Sequence, residues 1–133
     1  MVRSVRIKTL CIFMVILPVF VVQLQRVMAQ SEDLREDAYE HNRQGMIAMS
    51  EAEFEKAITE FQSAAALARD YQITGRPLIY TPVFMTAWAH EKLGQIQEAC
   101  LEFKRFLAIA PPASVEETKA DHAGDYLKQH CPQ

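Results

Sequence analysis

Four histidines, His41, His90, His122 and His130, are the side chains best suited to hold a metal or move a proton near neutral pH. No two of them stand four apart, and neither CxxC nor HExxH occurs, so no metal site is expected. His41 and His90 could meet only through tertiary packing. Serine, histidine and aspartate are present without a GxSxG setting, so a serine nucleophile has no support. GxxxxGK and GxGxxG are absent, which leaves nucleotide binding without support. The acidic pairs Glu32-Asp33, Glu36-Asp37 and Glu116-Glu117 read as first-turn partners of helix dipoles rather than as a substrate site. The expectation is a protein that is not an enzyme and carries no cofactor.

Cys100 and Cys131 could form a bond instead of a nucleophile, and the first thirty residues bear on that choice. Arg3, Arg6 and Lys8 precede Leu10 to Val22, an uncharged apolar run of 13 residues, and Val27-Met28-Ala29 follows. This is the layout of a secretory signal peptide, with cleavage expected after Ala29. The run is short for a membrane span, which needs about 20 apolar residues. Arg26 beside the cut site leaves an uncleaved N-terminal anchor as the alternative. Cys11 opens the apolar run instead of closing it, which argues against a lipidated cysteine. With residues 1–29 removed, Cys100 and Cys131 are the two cysteines left to an exported chain, and one disulfide is expected. Two separate thiols are the other reading.

The 133 residues are 50% hydrophobic and 23% charged, enough for one globular domain with a modest core. The net charge of −3 conceals a division. Residues 1–29 carry four Lys or Arg and no acid, while residues 30–133 carry ten Lys or Arg against 17 Asp or Glu. An acidic mature chain is poorly matched to phosphate backbones, so nucleic-acid binding is not expected.

Beyond Ala29, apolar positions recur every three or four residues, as in Phe54, Ala57, Ile58, Phe61, Ala64 and Ala68. That is helical spacing. Helices are expected over about 31–49, 51–69, 81–93, 95–109 and 114–129. Ser50-Glu53 and Ser114-Glu117 read as capping boxes, Thr81-Pro82 as a capped start, and Gly94 as a left-handed end. No strand is expected, so the fold class is all-α.

An internal repeat is legible at an offset of 42 residues. Gly45, Phe54, Ala57, Phe61 and Ala64 return as Ala87, Ile96, Ala99, Phe103 and Phe106. With Gly94 and Pro111 in the second copy, the pattern resembles the tetratricopeptide repeat, in which a small residue on helix A meets an alanine and an aromatic on helix B. The resemblance covers about residues 36–112. It implies two antiparallel helical hairpins in a right-handed stack, closed by a C-terminal capping helix. Repeat one spans about 36–69, an inserted loop 70–80, repeat two about 80–112 and the cap 114–129.

The resemblance further implies a concave groove lined by the A helices. Carried onto this sequence, Tyr39, Asn42, Met46 and Met49 would line it from the first, and Phe84, Trp88 and Glu91 from the third helix. The same side chains could instead belong to the core or lie under the loop. That loop, with Tyr71, Ile73, Leu78, Ile79 and Tyr80, is too apolar for a free linker, and folding back onto the hairpins could gate or extend the groove. The functional expectation is an exported, periplasmic scaffold that binds a partner protein or peptide, with oligomeric state open. The alternatives are a membrane-anchored assembly component, or a small-ligand carrier or enzyme using a pocket between loop and groove.

Overall fold

In the computed structural model the backbone is described for residues 3–73, 76–109 and 117–131, and side chains for 21–73, 78–109 and 117–131. The described residues are helical throughout, with no strand. The long helices are α1 (Arg3–Ser50), α2 (Phe54–Asp70), α4 (Thr81–Lys92), α5 (Ile96–Ile109) and α6 (Glu117–His130); α3 (Arg76–Ile79) is a single turn. The chain divides into two compact units, Met1–Asp33 and Leu34–Gln133. In the first unit the described side chains, 21–33, are all exposed.

The helix expected to open near residue 31 instead belongs to α1, which is continuous from Arg3. Residues 23–33 contain neither Gly nor Pro, so nothing there stops a helix. Glu32, Asp33, Glu36 and Asp37 accordingly lie along α1 and not in a first turn. Glu117, by contrast, does occupy the first turn of α6.

The second unit is built around α4. Pro82, Val83, Phe84, Met85, Thr86, Ala87 and Ala89 are all buried, so the helix has no broad polar face. It packs against α2, α3 and α5, and α6 packs on α5. α2 presents Ala57, Phe61, Ala64 and Ala68, and α5 presents Ala99, Cys100, Phe103 and Phe106. Most of these join one core with Ala48 of α1 and Ala123 and Tyr126 of α6. A smaller cluster of Ala38, Ala68 and Leu78, flanked by Leu67 and Ile73, brings the apolar loop back onto α1 and α2. At the α1–α2 crossing Gly45 is obligatory: a Cβ there would stand 2.7 Å from ring carbons of Phe61.

Three helices end alike. At α4, Gly94 has φ +71°, its N–H donates to Glu91 O, and Gln95 N–H donates to His90 O. This paired pattern closes the last carbonyls of a helix. Ala52 (φ 59°) repeats it after α1, through Ala52 N–H to Met49 O and Glu53 N–H to Ala48 O. Gln72 (φ 51°) repeats it after α2, and Ile73, whose N–H donates to Ala68 O, packs on the same small cluster.

These ends correct two expected caps. The Ser50-Glu53 box does not form, because the Glu53 N–H it requires is taken by Ala48; Ser50 Oγ donates to Ile47 O, and Glu53 pairs with Lys56. Thr81 is not a cap either. Tyr80 before it is already helical (φ −101°, ψ −42°) and its carbonyl accepts from Phe84, so Thr81 lies inside the helix. Ser114 of the Ser114-Glu117 box lies outside the described residues.

Two substitutions test these constraints. Ala52→Gly should raise stability by about 0.5–1 kcal/mol, since alanine is strained at positive φ. Gly45→Ala should lower it by about 1–3 kcal/mol, since its methyl meets the Phe61 ring. Thermal unfolding measures both, and a neutral Gly45→Ala would contradict the close crossing.

Candidate functional site

The expected groove is two unlike halves. On α4, Phe84 is 6% exposed and sits among aromatic rings, with Phe106 at 5.2 Å, Phe103 at 5.8 Å, His122 at 5.9 Å and Trp88 at 6.3 Å between centroids. Phe84 is therefore core and not groove lining. Trp88 is half-buried against the same core, with Lys92 Nζ 5.5 Å from its ring centroid. Glu91 Oε2 meets His122 Nε2 of α6 at 2.8 Å. α6 thus lies over the face of α4 that was expected to be open. The resemblance had supplied a capping helix without saying which side chains it would cover.

On α1 the side chains remain accessible. Tyr39 and Met46 are exposed at 43% and 44%. Asn42 lies between them on the same face and is half-buried, and its Oδ1 is buried with no hydrogen-bond partner. Met49 packs against the main core. Along the edge of this face Glu40 accepts hydrogen bonds from Arg43 and Gln44, which hold its carboxyl at about 2. His41 Nδ1 bonds Glu60 of α2 at 2.7 Å and ties the two helices together.

α6 is fastened at both ends of its contact with the core. His122 engages Glu91, and the disulfide Cys100–Cys131 joins its C-terminal end to α5, with the Cα atoms 5.9 Å apart. Between them Tyr126 stacks at 5.0 Å from Phe103 and 4.6 Å from His130. Burial, and behind it the charge of Glu91, pushes the Tyr126 phenol above its usual range.

A concavity lies elsewhere. A cleft of about 430 Å³ opens where the end of α2, the returning loop, the start of α4 and the end of α5 meet. Its wall is chiefly apolar, including Ala68, Ile73, Leu78, Val83 and Ile109, with Arg69 and Arg105 also lining it. A smaller hollow of about 170 Å³ adjoins it and shares Ala65, Arg69, Val83 and Arg105. Gln62, Thr86 and Glu102 make the hollow more polar. The apolar loop was the sequence signal for this cleft. The two arginines, on different helices and in no motif, carried none.

Among the described residues no cluster of three or more His, Cys, Asp or Glu could hold a metal ion. Nor is any described helix long and apolar enough to cross a membrane. Most of the Leu10–Val22 run lies outside the residues whose side chains are described. No family model, curated protein or solved structure matches the chain.

Reduction, or Cys131→Ser, should lower stability by about 3–4 kcal/mol, the loop-closure value for a separation of 31 residues. Denaturant unfolding with and without reductant measures it. Stability should also fall as pH rises past the ordinary phenol range. There the unfolded chain loses the Tyr126 proton before the folded one, and Tyr126→Phe should remove that component of the fall.

Proposed function

We propose that this chain is an exported, tetratricopeptide-like scaffold that holds a partner protein or peptide and carries out no chemistry. Its compartment is an oxidising one outside the cytoplasm, such as a bacterial periplasm, and residues 1–29 are removed on the way. The disulfide Cys100–Cys131 is compatible with that compartment. The chain's division after Asp33 supports the cut, since the buried residues of both clusters begin at Ala38.

The tetratricopeptide reading draws support from the matched helix ends. Ala52 and Gly94 stand 42 residues apart, the sequence offset of the repeat, and their neighbours make the same backbone bonds. Ala57 and Ala99, and Phe61 and Phe103, are equally buried at the same offset.

The observation that carries the binding role is the face of α1. Tyr39 and Met46 expose apolar surface, and between them Asn42 keeps an unsatisfied buried acceptor. Aromatic and methionine side chains suit adaptable protein contacts. Glu91 contributes to α6 docking through His122, and Trp88 packs on the core.

A photo-crosslinking residue at Tyr39 should trap a defined adduct in cells, and one at Leu101, exposed on α5, should not. Tyr39→Ala with Met46→Ala should abolish the complex while leaving the circular dichroism spectrum unchanged. No adduct at Tyr39, or the same adduct at both positions, counts against the α1 face. An intact mass beginning at Gln30 supports cleavage, and a full-length mass in the envelope supports the anchored alternative.

A further inference from the structure

The loop cleft is a different surface from the α1 face, and its chemistry is different. Its floor is aliphatic, and about 430 Å³ is within the range of small-molecule sites. Its polar lining comes from Arg69, Arg105 and Gln72, and the two arginines also line the adjoining, more polar hollow. An occupant matched to this layout has an apolar body and one anionic end.

The arginines have capacity to spare. Arg69 bonds Asp70 through Nε, and that pair is exposed on both sides, so it costs little to share. Arg105 Nη1 stands 3.5 Å from Glu102 Oε2, longer than the 2.7–2.9 Å of a charge-assisted hydrogen bond. Glu102 is the one carboxylate lining the hollow, and it competes with any incoming anion. Thr86 Oγ1 already donates to Pro82 O, so it can offer only its lone pairs. Among the described residues, the side-chain donors that line the cleft and the hollow are the two guanidinium groups and the Gln62 and Gln72 amides.

We propose that this cleft binds a single alkyl chain ending in a carboxylate, a fatty acid, with the chain against Ile73, Leu78, Val83 and Ile109 and the carboxylate between Arg69 and Arg105. The site is independent of the partner surface on α1, and either can fail without the other.

Laurate, dodecanol and dodecylamine, each below its aggregation threshold, form the test series, titrated into the disulfide-intact protein and followed by isothermal calorimetry and methyl NMR. Laurate should bind one to one and shift the Ile73, Leu78, Val83 and Ile109 methyls. Dodecanol should bind about tenfold more weakly, the worth of one charge-assisted contact, and dodecylamine more weakly still. Arg69→Gln and Arg105→Gln, both at exposed side chains, should each weaken laurate about tenfold and leave dodecanol unchanged. Glu102→Gln should strengthen laurate, because it removes the competing carboxylate. Equal binding of all three amphiphiles, or shifts confined to methyls outside the cleft, overturns the proposal. So does an acetylated hydrophobic peptide acid that binds as well as laurate, because the cleft would then be a peptide site.

Discussion

α4 is a short helix with almost no polar face, and that single fact organises the rest of the molecule. Seven of its side chains are withdrawn from water, so every flank must be covered by something else. α2 and α5 cover two flanks with small residues and phenylalanines at helical spacing. The small residues let the backbones approach, and the aromatics fill the remaining volume. Phe84 is the centre of the arrangement, with rings from α4, α5 and α6 packed around it. Remove that demand for cover and neither the returning loop nor α6 has a reason to be where it is.

The demand is met differently at the two sides of α4. On one side α6 supplies His122 and Tyr126, and the disulfide keeps it there. That side is a tight, aromatic seam. On the other side the loop supplies Ile73 and Leu78, which reach the smaller cluster with Ala38 and Ala68. Cover by a loop is less complete than cover by a helix, because one turn of α3 cannot match a two-turn ridge. The shortfall is the cleft. The exposed face of α1, with Tyr39 and Met46, arises separately.

The sequence was most legible where a local pattern and a packing demand agreed. The offset of 42 residues could be read because Ala57 and Ala99, and Phe61 and Phe103, serve the same packing role. Gly94 could be read because a glycine after a helical run has one dominant use. Ala52 and Gln72 adopt the same left-handed conformation without being glycine, so nothing in their identity announced it. Ser-Glu-Ala-Glu at 50–53 matched a capping box letter for letter, yet its key N–H had a closer competitor in the preceding helix. Phe84 and Trp88 were ambiguous for a deeper reason. On a helix apolar all round, groove and core look identical until the covering element is known.

The inserted residues between the helix pairs offer the last step. The repeat that the sequence resembles has 34 residues. Here the offset is eight residues longer, and part of that excess forms α3 and the turn at Gln72. The insertion must fold back, because Ile73 and Leu78 are too apolar to stay in water. It can do so only by spanning from α2 to α4 above the gap it has itself created. Arg69 from α2 and Arg105 from α5 line this space together with its aliphatic wall. Apolar residues of the insertion and these two arginines thus share one cleft, in a place that the repeat pattern alone would never have indicated.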